Sequence, residues 1–238
     1  MKIESKYFKE WINKVTVKGK IPEVKLEFSD NGINFFHNDL SNTILCKGYL
    51  KSKIIKQYEN IGAIGIGNTL KLLNFLGLFN EEIELTKKDN ILLISQKNRK
   101  VEYVLSNSDS IAMPMKEPTF TDFEISFDID ANKLKETMKN AKEVSDSIVS
   151  INTKEKQLLI TAGEQDKFID KFDIPQIQKE GISVIFGEPL KDVLDVLDGN
   201  INISLATNAP MKIIAKSELY ELVYWIAPRD ESGENNEE

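Results

Sequence analysis

Three sets of residues have types and spacing that bear on chemistry. The stretch Gly62-Ala63-Ile64-Gly65-Ile66-Gly67 has the glycine density of a loop that wraps a phosphate. A dinucleotide fingerprint, however, would carry its third glycine where Leu70 stands, and no Gly-Lys-Ser/Thr follows for a nucleoside triphosphate. It is therefore read as a turn. His37 and Cys46 are each alone in the chain, which excludes a Cys/His zinc set and an intramolecular disulfide. They read as a loop histidine and a half-buried strand thiol. The acidic residues are scattered, without a closely spaced pair that would suggest metal or acid/base work. The third set is a stripe: Lys135, Lys139 and Lys142 fall at i, i+4 and i+7, on a different helix face from Leu134, Met138 and Ala141. A row of ammonium groups on one face suits contact with phosphates without reading bases, and an ordinary solvated helix face is the other reading. The chemistry on offer is binding, and no catalytic residue is expected.

Those lysines need helices to hold them, and the chain supplies four. Ser5 can cap a first helix whose Phe8, Trp11, Ile12 and Val15 fall at helical spacing, with Lys6 and Lys9 projecting away from them. A second helix spans about 68 to 76, carries Lys71 and ends at Gly77, a residue suited to a helix C-cap. The third runs from about Asn132 to Val144. The fourth is entered by Pro189 and closed by Gly199, and there Lys191 is accompanied by Asp192, Asp195 and Asp198. Asp195 and Asp198 lie at the end where the helix dipole disfavours anions.

Around the helices the pattern is strand. Val24 to Phe28 alternates at period two, Asp30-Asn31-Gly32 supplies a turn, and Ile33-Asn34-Phe35 begins the return of a hairpin. Thr43 to Ile54 reads as further strand, followed after the second helix by Ile83–Leu85, Ile91–Ile94 and Val101–Leu105. The second half gives strands at Ile148–Ile151, Leu158–Thr161, Phe168–Phe172, Ile201–Leu205, Met211–Ala215 and Glu221–Ile226. Between the halves, Ser106 to Asp122 contains Pro114 and Pro118 and no sustained period, as an extended connector would.

The halves also repeat one another. Ile3-Glu4-Ser5-Lys6-Tyr7-Phe8-Lys9-Glu10 returns as Ile129-Asp130-Ala131-Asn132-Lys133-Leu134-Lys135-Glu136, and Leu70-Lys71-Leu72-Leu73 returns around Leu190-Lys191-Asp192-Val193-Leu194. Copies so far apart make the repeat unit a whole domain rather than a solenoid turn. The 238 residues suffice for two such domains with their own cores. No apolar run approaches the length of a membrane span and no signal-peptide stretch opens the chain, so the expected location is cytoplasmic (nucleoid-associated) in a prokaryote or nuclear in a eukaryote. A net charge of -7 argues against a uniformly basic nucleic-acid binder, which makes the placement of the lysines decisive. The segment Asp230 to Glu238 is acidic and without an apolar residue, and is expected to be a disordered tail.

The order of two helices and roughly eight strands per half, joined by a proline-bearing connector, resembles the sliding clamps of the proliferating cell nuclear antigen (PCNA) family. The local matches are Ile66-Gly67-Asn68-Thr69-Leu70-Lys71-Leu72-Leu73 before Asn80-Glu81-Glu82-Ile83-Glu84-Leu85, the connector, and Leu222-Val223-Tyr224-Trp225-Ile226-Ala227-Pro228-Arg229-Asp230-Glu231. The resemblance implies an α+β chain of two similar domains of the DNA-clamp fold, each with two helices packed on antiparallel sheets. The expected boundaries are 1–106 and 123–229 for the domains, 107–122 for the connector and 230–238 for the tail. It further implies a ring of three subunits that encircles duplex DNA, tethers a polymerase and other replication or repair proteins, and is opened by a clamp loader. Such a protein is not an enzyme and needs no metal or cofactor.

The lysines expected to face DNA are Lys6, Lys9, Lys71, Lys135, Lys139, Lys142 and Lys191, of which Lys9, Lys71 and Lys139 lie at or next to positions where the family carries basic residues. The acidic fourth helix departs from the family's pattern. The resemblance implies that the strand Val101–Leu105 of one subunit meets Phe168–Phe172 of the next, with Tyr103 at the position of an interface aromatic and Val101, Leu105, Phe168, Ile169 and Phe172 beside it. An aromatic facing its own core is the other reading of Tyr103. A pocket for partner peptides would be built from Asn38, Leu40 and Thr43, from Met113 and Pro114 of the connector, and from Pro210, Trp225, Ala227 and Pro228. Met113 and Met115 would form an adaptable wall. Trp225, larger than the family's tyrosine, would narrow the pocket. Two other functions stay open: one subunit of a heteromeric or checkpoint-type clamp, which the acidic fourth helix favours, and a small nucleotide-dependent enzyme using the glycines near Gly65.

Overall fold

The computed structural model describes residues 1–177 and 179–229. They form two compact units, Met1–Glu117 with Lys216–Val223, and Pro118–Ala215 with 224–229. The second domain read from sequence as 123–229 thus lends residues 216–223 to the first unit. The acidic segment 230–238 lies outside the described residues.

The first unit begins β1 (Lys2–Glu4), α1 (Ser5–Val15), β2 (Val24–Ser29), β3 (Gly32–Asn38), β4 (Ile44–Lys51) and β5 (Ala63–Ile66). It continues with α2 (Thr69–Leu76), β6 (Glu82–Lys88), β7 (Ile91–Gln96) and β8 (Arg99–Val104). Its strands pair in the orders β1-β6-β7-β8 and β5-β2-β3-β4, and all the registered pairs are antiparallel. Period two decides which residues face inward: Val24, Leu26 and Phe28 of β2 are buried while Lys25 and Glu27 are not. Phe8, Trp11, Ile12 and Val15 of α1 are all buried, and the Trp11 ring meets Phe35 of β3 edge-on at 6.5 Å.

The second unit contains β9 (Ile125–Asp130), α3 (Ala131–Ser145), β10 (Val149–Lys154), β11 (Gln157–Ala162), β12 (Phe168–Asp173) and β13 (Ser183–Phe186). Then come α4 (Glu188–Val196), β14 (Asn200–Leu205) and β15 (Met211–Lys216), and the chain's last strand is β16 (Tyr220–Ile226), whose residues 220–223 are counted with the first unit. One sheet has the order β12-β11-β10-β13, and β14 lies between β9 and β15 in the other. Leu134, Met138 and Ala141 of α3 and Leu190, Val193 and Leu194 of α4 are buried, so both helices turn their apolar stripes to the core. The duplicated sequence is one local structure used twice: in each unit a strand, β1 or β9, runs directly into a helix, α1 or α3.

Several expectations need correction. Ser5 is the first residue of α1 and does not cap it. Its hydroxyl donates to the carbonyls of Leu76 and Phe79 at 3.3 and 3.2 Å, closing the end of α2 against the start of α1. The strand expected to reach Ile54 stops at Lys51 and becomes a short 3-10 turn. The glycine-rich stretch is not a turn: Ala63–Ile66 is β5. A Cβ on Gly65 would lie 2.4 Å from the Ser106 carbonyl oxygen, so glycine is required by the close approach of two backbones. His37 is not a loop residue but lies in β3, only 2% exposed. Cys46 is buried outright in β4.

Two outcomes follow. Gly65→Ala must push β5 away from Ser106 and should destabilise the protein by about 2 kcal/mol, read as a lower urea midpoint. The second concerns His37, whose Nε2 accepts the Lys25 N–H at 2.8 Å. Burial pushes its pKa below the ordinary value and outweighs the Lys25 carbonyl, 3.2 Å from Nε2, and the charge of Glu27, which act the other way. A folded state that resists protonation loses stability as pH falls from the unfolded histidine value, about 6.5, through the lower folded one. The stability gap between the wild type and His37→Gln should therefore shrink between pH 7 and pH 5; a constant gap in urea unfolding would show that His37 is not depressed.

Candidate nucleic-acid and partner interfaces

The lysines of the first unit are presented by α1 and α2. Lys6, Lys9 and Lys71 are exposed, with the Lys6 ammonium 4.8 Å from the Tyr7 ring centroid and that of Lys71 5.6 Å from Phe75. Lys9 reaches across to α2: a Cβ on Gly77 would sit 3.2 Å from its Nζ, which puts its charge near the helix C-terminus. Asn68 fixes the other end of α2 by accepting the Lys71 N–H at 2.8 Å.

In the second unit the expected stripe is not uniform. Lys139 and Lys142 are exposed on α3, but Lys135 is half-buried and its Nζ donates to the Leu197 carbonyl at 2.8 Å, just past the end of α4. It serves as a tether across 62 residues of sequence and satisfies a carbonyl that the helix leaves without a partner. Lys191 is likewise engaged, at 3.0 Å from the Asp195 carboxylate one turn along α4. Lys133, which periodicity did not single out, is exposed at the start of α3. The exposed lysines of the second unit's helices are thus Lys133, Lys139 and Lys142, all on α3.

Of the interface residues expected on β8, Tyr103 belongs to its own core. It is 3% exposed, its ring meets Phe75 edge-on at 6.1 Å, and its hydroxyl donates to the Asn68 carbonyl at 3.0 Å. Burial raises its pKa. Leu105 is buried and Val101 partly so, on the same inward side. The outward side of β8 carries Lys100, Glu102 and Val104 instead, the last 64% exposed. On β12 the sequence reading fares differently by position: Ile169 is 52% exposed, whereas Phe168 and Phe172 are half-buried. Alternation along each strand was the signal that could have sorted these residues, but the register needed a buried neighbour to fix it.

The expected peptide-pocket residues divide between the units. In the first, Asn38 and Leu40 line an open cavity of about 540 Å³ together with His37, Asn68, Leu70 and Ile111. Leu40 is 84% exposed at its rim. Asp39 holds the loop in shape: its carboxylate accepts the N–H groups of Thr43 and Ile44, both at 2.8 Å, and the Thr43 hydroxyl at 2.7 Å. Thr43 is accordingly a brace of the loop. Met113 and Pro114 are half-buried, and Met115 is fully exposed. In the second unit Trp225 is buried, with the Lys212 ammonium 5.8 Å from its ring centroid, while Pro210, Ala227 and Pro228 are half-buried.

Among the described residues no helix is long and apolar enough to cross a membrane. The sequence matches no protein-family model and no curated protein. The three-dimensional structure does match known ones. A. fulgidus PCNA, in a structure described as bound to the C-terminal region of FEN-1, superposes with a TM-score of 0.85 at 17% identity, covering 97% of this chain and 98% of that one. PCNA from Thermococcus kodakaraensis gives 0.83 at 20% identity, over 96% of this chain and 99% of the other. The PCNA2-PCNA3 complex from Sulfolobus tokodaii gives 0.78 at 12% identity, over 96% and 98%. From end to end, the chain has the mixed helix-and-sheet fold of the PCNA sliding clamps.

Proposed function

We propose that this protein is a DNA polymerase processivity factor, a non-enzymatic sliding clamp that encircles duplex DNA and tethers polymerase and other replication or repair proteins to it. The observation that carries this reading is the match of the whole chain, both units included, to sliding clamps. The exposed lysines on α1, α2 and α3 support it, since helices bearing mobile ammonium groups suit a surface that holds phosphates and still slides. The residues assigned to DNA are Lys6, Lys9, Lys71, Lys139 and Lys142. Lys135 and Lys191 contribute less, because the Leu197 carbonyl and the Asp195 carboxylate already hold them. Partner proteins insert an apolar anchor beside Leu40 and the connector residues Met113 and Pro114 of the first unit.

Clamp-dependent DNA synthesis on a primed circular template tests this. Lys139→Glu with Lys142→Glu should abolish synthesis while leaving assembly intact, and should lower the salt slope of DNA binding by about 0.9 for each phosphate that is no longer neutralised. Lys191→Ala should change neither by much. Undiminished synthesis in the double variant would remove the assignment of these helices to DNA. Leu40→Ala should weaken a FEN-1 C-terminal peptide about tenfold by calorimetry. A second reading, one subunit of a heteromeric clamp, is favoured by the acids of α4, Asp192 and Asp195.

A further inference from the structure

The open cavity of the first unit has an imidazole in its wall. His37, near the end of β3, is the one histidine of the chain and is almost wholly buried, yet it lines the cavity together with Asn38, Leu40, Ile111 and Ala112. The Phe35 ring meets it edge-on at 5.2 Å, and Cys46 of β4 lies opposite it in the register of the two strands.

Two backbone segments hold the ring in its neutral form. Nε2 accepts the Lys25 N–H at 2.8 Å, so the proton of the neutral ring is on Nδ1. The ring's other backbone hydrogen bond is to Ala112, the residue before Met113 and Pro114 of the connector. Neutral His37 thus bridges β2 and the connector. A proton on Nε2 would take away the acceptor of the Lys25 N–H and set two donors against each other. The charged ring would keep only the longer approach to the Lys25 carbonyl, at 3.2 Å.

The charged groups around the ring do little to compensate a cation there. From β2, Glu27 favours the charged form and Lys25 opposes it. Glu23 and Asp39 line the cavity, but Glu23 is exposed, where solvent screens it, and the Asp39 carboxylate is already engaged by Thr43 and Ile44. On β4, Cys46 is a buried thiol, and Lys47 beside it is paired with Glu117. Desolvation by burial outweighs the attractions and disfavours the cation.

We propose that partner docking in this cavity is coupled to His37: the partner's apolar anchor seats against the neutral imidazole and competes with its protonation, so that acidification releases the partner. The inference rests on the reading of this cavity as the place where partner proteins insert an anchor, and it deepens that reading by naming how the site is regulated. In the free protein the cavity, about 540 Å³, is open, and water in it can solvate a charged ring. An apolar side chain that fills it replaces that water with hydrocarbon and makes the charge more costly. Binding and protonation therefore oppose each other, and each weakens the other by the same factor. Histidine suits the task because its charge changes closest to neutral pH.

Calorimetry of the full chain with a FEN-1 C-terminal peptide at pH 7.5 and pH 5.5 reads the coupling. Both values lie above the ordinary carboxylate range, about 4. The wild-type affinity should fall about threefold or more over this interval. His37→Gln supplies an amide that can accept from Lys25 and donate to Ala112 but cannot take a charge, and its affinity at pH 5.5 should match its own at pH 7.5. A second measurement needs no variant. The ring resonances of the chain's one histidine, followed by NMR, should titrate at a lower pH with saturating peptide than without it. Equal wild-type affinity at the two pH values, a pH dependence that survives in His37→Gln, or a ring titration unmoved by peptide would overturn the coupling and leave the docking site standing. Failure of the docking reading looks different: the peptide binds at neither pH, and the coupling falls with it.

Discussion

In an extended chain the side chains and the backbone hydrogen-bonding groups alternate together, so burying one face of an edge strand also decides which N–H and C=O groups remain for an outside partner. The outer face of β8 depends on that coupling. Tyr103 packs on Phe75 and bonds to Asn68, which turns its backbone toward β7 and leaves the edge to Lys100, Glu102 and Val104. The packing of the core thereby writes the code of the surface. Residues that look like interface aromatics in the sequence are the ones that hold the strand in place.

A similar economy governs the charges. Lysines are spread over all four helices, yet a lysine is available to a phosphate only if nothing nearer holds it. Lys135 closes the end of α4 through the Leu197 carbonyl, and Lys191 sits with Asp195. The second unit thus uses part of its positive charge to bind its own helices together, and its exposed helix lysines are those of α3. The first unit keeps Lys6, Lys9 and Lys71 exposed, two of them resting on aromatic rings. A net charge of -7 and the proposed DNA-binding surface are compatible because binding would depend on the helix faces rather than on the total.

The duplicated sequence gives two units the same strand-to-helix entry while their later segments diverge. Where the first unit has Asn68 as a side-chain cap for α2, the second has Gly187 and a proline in the first turn of α4. Both solutions deal with the unpaired N–H groups of a helix start, one by accepting a hydrogen bond and the other by removing a donor. Divergence of this kind preserves the core and leaves surface chemistry free to differ, as the acids of α4 illustrate.

The sequence by itself determined the duplication, the four helices and most of the strands, because helical and strand periods are local and persist over five to fifteen residues. It also carried the family resemblance that fits the fold, and it placed Lys6, Lys9, Lys71, Lys139 and Lys142 on helix faces away from the apolar stripes. What it could not reach were facts set by residues distant along the chain. Gly65 of β5 answers to Ser106, His37 to Lys25 across a sheet, Ser5 to the end of α2, and Lys135 to a carbonyl beyond α4. The short strands β1, β5 and β13 escape the sequence because three or four residues are too few to show a period, whereas β9 (Ile125–Asp130) alternates over six residues and is still not read as a strand. Only the tertiary structure decided which face of β8 is outside, since alternation defines two faces and just the packing against a core distinguishes them.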